Sequence, residues 1–116
     1  MSPASLTTSV RRRGDTTLID IFGEIDGFSD KELAAAYALA ASTGPSHVVL
    51  NFGGVEYINS TGIAVIVGVL ARARLDGIPL GICCLSDHFH EIFRITRLAD
   101  FMHVYPDEET IWLSDE

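Results

Sequence analysis

The chain has 116 residues, of which 47% are hydrophobic, and its formal net charge is −8. This length is typical of one domain that can bury a core without metals or disulfides. The acidic balance argues against a nucleic-acid-binding protein, which needs a basic surface. The longest apolar run, Ile63 to Ala71, is far shorter than the ~20 residues that cross a bilayer. With no recognisable secretory signal, we expect a cytoplasmic domain over residues 1–116, with residues 1–5 flexible.

The first half of the chain predicts a strand pair and a helix. Leu6 to Arg12 and Thr16 to Glu24 have the composition of two strands, and Gly14-Asp15 between them favours a turn. Ser29, followed three residues later by Glu32, is a capping-box pattern. We therefore expect Ser29 to be the N-cap of a helix that ends near Ala41.

The middle of the chain predicts a buried strand and a long helix. His47 to Asn51 is a short apolar run typical of a buried strand, and Phe52-Gly53-Gly54 has the composition of a turn. Asn59 and Ser60 are both good N-cap residues, and an apolar run follows at once. The sequence thus predicts that Ser60 lies at or beside the N-terminus of a helix that ends at Asp76. There, free N–H groups and the helix dipole favour an anion such as a phosphate.

The last third predicts two strands and two helical segments. Leu80 to Cys84 is an apolar strand, in which the adjacent Cys83 and Cys84 should point to opposite faces and could not form a disulfide without distortion. A helix capped by Ser86 or Asp87 follows, and then a short strand at Val104-Tyr105. Residues 107–116 are expected to form an acidic C-terminal tail or a short helix.

The predicted order β-β-α-β-α-β-α-β-α defines an α/β fold class. We expect one mixed sheet of about four to five strands, with an N-terminal strand pair, flanked by about four helices. Asp26 and Ser60 each follow a predicted strand. Both should lie at the sheet edge where α/β proteins usually place their sites.

The central helix is apolar on more than one face. One stripe, expected to face the core, contains Ile63, Ile66, Val67, Leu70 and Ala73. A second set of small apolar residues contains Ala64, Val65, Gly68 and Val69. This second face either contacts another helix of the same chain or is a docking face for a partner.

Two short segments resemble a known family. Asn59-Ser60-Thr61-Gly62 is similar to the Asp-Ser-Ser/Thr-Gly motif of the STAS domain family, in its anti-sigma factor antagonist type. Gly23-Glu24-Ile25-Asp26 is similar to the family's Gly-Glu-Leu/Ile-Asp segment. The resemblance extends over roughly residues 6–105, and it implies the same α/β fold.

The resemblance also implies a regulatory function. In the family the first serine of the motif is phosphorylated, which assigns that role to Ser60, with Thr61 as the second candidate. It further implies binding to an anti-sigma factor that is a serine kinase of ATPase type. A sigma factor is released when the serine is unphosphorylated, and a serine phosphatase reverses the modification. Asn59 departs from the usual Asp, so kinase choice or phosphorylation rate can differ here.

The expected partner surface combines both segments with the second helix face. Its residues are Asp26, Asn59, Thr61, Gly62, Ala64, Val65, Gly68 and Val69. No cofactor, metal, nucleic acid or membrane is expected. Neither a glycine-rich phosphate loop nor a nucleophile-elbow motif of an enzyme is present.

Simpler interpretations stand beside these. Ser60 could be only a helix cap, and Asp26 only a loop carboxylate. The alternative function is a stand-alone STAS module that senses a small ligand or acts as a scaffold in a sensory complex, without phosphorylation.

Overall fold

The computed structural model of the protein describes residues 6–114, so the expectation for residues 1–5 lies outside the described part of the chain. Its strands are β1 (Leu6–Arg13), β2 (Thr16–Ile25), β3 (His47–Ile58), β4 (Leu80–Cys83) and β5 (His103–Tyr105). Its helices are α1 (Asp30–Ser42), α2 (Ser60–Asp76), α3 (Asp87–Ile95) and α4 (Glu108–Ser114), and 3₁₀ turns occur at Gly27–Ser29 and Leu98–Asp100.

The strands form one sheet in the order β1-β2-β3-β4-β5. The β1 and β2 strands pair antiparallel, whereas β2, β3, β4 and β5 are parallel to one another. This arrangement confirms the predicted fold class: a mixed sheet with an N-terminal strand pair, flanked by helices. The last helix, α4, covers residues 108–114, and the Asp107 side chain accepts a hydrogen bond from the Thr110 N–H.

Side chains alternate between the two faces of the sheet along each strand, and both faces are buried. On one face Ile19, Val48 and Ile82 belong to a large apolar cluster with residues of α1, α2 and α3. The other face carries a smaller cluster, to which both the strands and α4 contribute. That cluster consists of Leu18, Val49, Cys83, Tyr105 and Ile111, with Cys84 and Trp112 packed against it. The second face is therefore covered mainly through α4.

The turn predicted at Phe52-Gly53-Gly54 is wrong, because β3 continues through these residues to Ile58. The glycines instead serve close packing and a register shift in the β2–β3 pairing between Asp20 and Phe22. A Cβ on Gly54 would lie 2.4 Å from Cδ1 of Phe22. Glycine here gives the Phe22 ring room to lie across the strand, a use that a turn prediction does not consider.

Ser29 is the N-cap residue of α1, as predicted, but its capping box with Glu32 does not form. Ser29 makes no side-chain cap hydrogen bond to α1. The box lies three residues earlier: Asp26 accepts from the Phe28 N–H at 2.9 Å, and the Asp26 N–H donates to Ser29 Oγ at 2.9 Å. A 3₁₀ turn thus precedes α1, and Ser29 is fully buried as part of it.

The faces of α2 are rotated from the predicted ones. Val67, expected in the core, is 45% exposed, whereas Val65 and Val69, assigned to the second face, are buried. Ile66, Leu70 and Ala73 are buried as predicted. Of the predicted second face, only Ala64 and Gly68 are therefore exposed.

Within the described residues, no helix combines the length and the apolar character that spanning a bilayer requires.

Candidate functional site

The carboxyl ends of β2 and β3 meet at one edge of the sheet. Ile25 pairs with Ile58 at the end of the parallel ladder, and the Asn59 N–H donates to the Ile25 carbonyl at 3.3 Å. Asp26 and Ser60 each follow closely on one of these strands. The structure therefore places the two segments that carry the family resemblance at the same sheet edge.

Asn59 is the N-cap of α2. Its backbone is extended, and its Oδ1 accepts from the Gly62 N–H at 2.8 Å. The same oxygen also accepts from the Thr61 hydroxyl at 2.8 Å. A neutral amide oxygen therefore satisfies one of the free N–H groups of the first turn, as an aspartate oxygen would.

Ser60 is the first residue of α2, and its side chain is exposed. Among the described residues, its hydroxyl makes no side-chain hydrogen bond of the kind that holds Thr61 to Asn59. Neighbouring hydroxyls at the helix start thus differ: one is engaged in the cap, and the other faces solvent. Both residues are exposed, and Ser60 is the one whose hydroxyl is not engaged with Asn59.

Gly62 brings α2 very close to β2. A Cβ at this position would lie 2.1 Å from the Ile25 carbonyl oxygen and 3.0 Å from a side-chain carbon of Ile58. Only glycine can fit such a backbone approach. Gly62 is buried, and this contact seats the start of α2 on the end of β2.

The 3₁₀ turn after β2 lies against the same helix start. A Cβ on Gly27 would be 3.3 Å from the Thr61 hydroxyl oxygen, so the turn and the first turn of α2 pack together. Asp26 caps this turn through its bond with Phe28 and is half-buried. The aspartate therefore has a structural role at the site, whatever else it contacts.

Two exposed aromatic side chains flank this edge and were not among the sequence-predicted site residues. Phe28, in the 3₁₀ turn, is 67% exposed, and Tyr57, near the end of β3, is 51% exposed. The signal that could have found Phe28 is a large apolar residue inside a Gly-containing turn. On α2 itself, Ala64 and Gly68 are exposed, whereas Gly62, Val65 and Val69 are buried and form no part of this surface. We call the following residues the Ser60 surface: Asp26, Phe28, Tyr57, Asn59, Ser60, Thr61, Ala64 and Gly68.

The first turn of α2 favours an anion. The first turn of α2 contains no acidic residue, and its N–H groups point towards the N-terminal end. A phosphoryl group on Ser60 would meet the positive end of the helix dipole without a carboxylate in that turn. In the part of the chain that the structure describes, no cluster of three or more His, Cys, Asp or Glu could hold a metal ion.

Comparison with known sequences assigns the family. The STAS domain model matches residues 7–111. An anti-sigma-B factor antagonist of Staphylococcus aureus (strain NCTC 8325 / PS 47) is 31% identical over 86 residues, which cover 74% of this chain and 80% of that protein. The anti-sigma-B factor antagonist of Staphylococcus epidermidis is also 31% identical over 86 residues, with the same coverage. The chain therefore belongs to the STAS domain family.

Solved structures share the fold. A crystal structure of an anti-sigma factor antagonist from Mycobacterium paratuberculosis superposes with a TM-score of 0.79 at 19% identity, covering 97% of this chain and 96% of that one. The unphosphorylated form of the anti-sigma factor antagonist SpoIIAA gives a TM-score of 0.69 at 15% identity, covering 94% and 96%. The phosphorylated form of SpoIIAA, from Bacillus, gives 0.66 at 20% identity, covering 90% and 96%.

Proposed function

We propose that this protein is an anti-sigma factor antagonist whose binding to an anti-sigma factor is switched by phosphorylation of Ser60. The observation that carries the proposal is the exposed Ser60 hydroxyl on the first turn of α2, beside a Thr61 hydroxyl that is bonded to Asn59. The names of the staphylococcal relatives support the antagonist role, and the structural relative SpoIIAA has been solved in a phosphorylated form.

The partner is an anti-sigma factor that is also an ATPase-type serine kinase, and a serine phosphatase reverses the reaction. The unphosphorylated protein binds the anti-sigma factor through the Ser60 surface and so frees the sigma factor. The exposed Phe28 and Tyr57 supply apolar area of the kind that anchors an interface. Ala64 and Gly68 let a partner backbone approach α2 closely, because neither has a long side chain. The protein has no catalytic role of its own and works in the cytoplasm.

The switch is electrostatic and needs no change of fold. A phosphate adds about −1.5 to −2 charges and three acceptor oxygens. In the free protein that charge lies at a helix N-terminus and remains in water. Inside an interface it would have to lose its hydration next to partner groups, at a cost of several kcal/mol if like charges face it. Each ~1.4 kcal/mol lowers affinity tenfold. A cost of two or three times that amount therefore weakens binding about 100- to 1,000-fold, which is enough to release the partner.

The first experiment locates the phosphate. The purified protein is incubated with Mg-ATP and each candidate anti-sigma factor kinase from its own genome, and the product is mapped by mass spectrometry. We expect one phosphate on Ser60. Ser60→Ala should remove the modification, whereas Thr61→Val should keep it. Phosphate found on Thr61, or only at another residue, would contradict the assignment of Ser60.

The second experiment tests the charge. Ser60→Asp should weaken binding to the kinase at least about 100-fold, while the melting temperature stays close to that of the unchanged protein. Ser46→Asp is the matched control, since Ser46 is exposed and precedes β3 at the opposite edge of the sheet. Equal weakening by both variants would show that net charge, and not the position of Ser60, controls binding.

A second candidate function rests on a groove at that opposite edge. The groove has a volume of about 540 Å³ and is lined by residues that include Arg13, Thr16, His47 and Trp112. The Arg13 guanidinium lies 4.3 Å from the centroid of the Trp112 ring. Asp15 also lines the groove, so its polar groups include a guanidinium, a carboxylate and an imidazole that a small polar ligand could contact. A metabolite panel that raises the melting temperature, with the shift lost in Trp112→Ala, would support sensing; no shift would count against it.

A further inference from the structure

The two adjacent cysteines lie closer together than strand geometry predicts. The β4 strand ends at Cys83, and Cys84 follows with φ of 68° in the left-handed region, which few non-glycine residues adopt. This backbone turn brings Cys84 Sγ to 3.3 Å from Cys83 Sγ. The prediction that the side chains point to opposite faces is therefore wrong, because Cys84 lies outside the strand.

The two thiols differ in their access to solvent. Cys83 is fully buried in the cluster of the second sheet face, whereas Cys84 is partly exposed at its border. Burial, together with the hydrogen bond from Cys84, raises the pKa of the Cys83 thiol well above its usual range. Since the thiolate is the reactive form, an oxidant in solution meets Cys84 first.

We propose that Cys83 and Cys84 are a redox modification site that closes to a disulfide when the protein meets a peroxide. The Cys84 thiol first releases its proton to solvent. The thiolate then attacks one peroxide oxygen, the O–O bond breaks, and the leaving hydroxide takes up a proton from solvent, which gives water and a Cys84 sulfenic acid. Cys83 Sγ then attacks Cys84 Sγ. The S–S bond forms, the S–O bond breaks, and the hydroxyl leaves as water with the Cys83 proton. The two thiols together lose two electrons, and hydrogen peroxide is reduced to two molecules of water.

The geometry makes this disulfide labile. Cα atoms joined by a trans peptide are about 3.8 Å apart, which is less than the ~4.4–6.8 Å usual between disulfide-bonded residues. Strained or exposed disulfides are reduced more readily than structural ones. The pair is thus suited to reversible oxidation rather than to permanent stabilisation of the fold.

Oxidation at this position has a local reporter. Trp112 is the one tryptophan of the chain, and it packs, with Cys84, against the cluster that contains Cys83. On the other side, a Cβ on Gly53 would lie 3.5 Å from Cys84 Cβ, so β3 borders the pair as well. A bond between the sulfurs therefore changes the surroundings of Trp112, and its fluorescence should change with the same time course as the loss of thiols.

The test is to titrate the full chain with hydrogen peroxide and follow its intact mass, thiol content and fluorescence. We expect the mass to fall by that of two hydrogen atoms and the thiol content to fall from two per chain to none. No disulfide should form between chains, and reduced glutathione should restore both thiols. A mass gain from added oxygen alone, cross-linked dimers, or survival of both thiols would each overturn the proposal.

Single variants test the order of the two steps. In Cys83→Ala, the sulfenic acid on Cys84 has no partner thiol and should be labelled by dimedone. In Cys84→Ala, the buried Cys83 should remain unlabelled at the same peroxide dose. Labelling of Cys83 rather than Cys84 would contradict the proposed sequence. Because the mass measurement uses the unchanged protein, the result does not depend on how well either variant folds.

Discussion

The Cα of Gly62 lies against the carbonyl group of Ile25, so closely that a Cβ on Gly62 would be 2.1 Å from the oxygen. The contact joins the first turn of α2 to the end of β2, and the Asn59 N–H bonds to the same carbonyl oxygen. Backbone contacts, together with the Asn59 cap, thus fix the position of Ser60.

Gly62→Ala should destabilise the fold strongly. The added methyl group must push α2 away from β2, and overpacking of this kind typically costs about 1–3 kcal/mol, occasionally more. Gly68→Ala is the matched control, because it lies in the same helix with no atom within 4 Å of the added Cβ. It should raise the free energy of unfolding by up to ~1 kcal/mol through helix propensity. Urea unfolding of both variants measures the difference, and similar values would show that the Ile25 contact is unimportant.

Changing Asn59 should separate the role of the cap from the role of charge. Asn59→Ala removes the oxygen that accepts from Gly62 and Thr61, which should cost about 1 kcal/mol of stability. Asn59→Asp keeps that oxygen and adds a negative charge at the helix N-terminus, so stability should be unchanged or slightly higher.

The informative measurement for Asn59→Asp is the rate of phosphorylation at Ser60, compared with that of the unchanged protein. A change in rate without a change in melting temperature would show that the kinase reads the charge at position 59. An equal rate would show that the departure from the family's usual aspartate has no effect on phosphorylation.

Asp20 should make stability depend on acid pH. Burial raises the pKa of its carboxyl group, but hydrogen bonds from Arg11 and Asn51 outweigh that effect and leave the pKa below its ordinary value. A lowered pKa in the folded state gives stability that is present above the unfolded value of about 4 and is lost as pH falls through the folded value.

Asp20→Asn should therefore lower the free energy of unfolding at pH 7 by about 1.5–3 kcal/mol, the range for hydrogen bonds to charged groups. Because Arg11 is half-exposed, we expect the lower end of this range. The difference from the unchanged protein should shrink as the pH falls below 4. Glu91→Gln, which breaks the exposed pair with Arg94, is the control and should change stability little at any pH. A constant deficit for Asp20→Asn across the pH range would refute this account.

The sequence was sufficient to predict the fold class and the position of Ser60, because both depend on local patterns. An apolar strand, two capping residues and an apolar run define the start of α2 without information from the rest of the chain. The predicted turn at Gly53-Gly54 failed because a glycine signals a turn or a close packing contact equally well. Only the position of the Phe22 ring distinguishes the two.

The prediction of which α2 residues face the core was wrong for a related reason. A helical wheel ranks faces by apolarity, and α2 is apolar on several, so the wheel could not choose between Val65 and Val67. The choice is made by the contact of Gly62 with Ile25, which fixes the rotation of the helix about its axis. Likewise, the close approach of Cys83 and Cys84 depends on where β4 ends, and strand boundaries are the least certain part of a sequence-based assignment.

The order of strands leaves β1 and β5 as the two edge strands of the sheet. An edge strand presents unpaired backbone N–H and C=O groups, to which another chain can add a strand, and this is a common route to aggregation. Here β5 has only three residues, too few to template a long pairing. The longer β1 ends in Arg11, Arg12 and Arg13, all exposed. A second chain that added a strand here would have to accommodate these charged side chains, which disfavours strand addition at this end of β1.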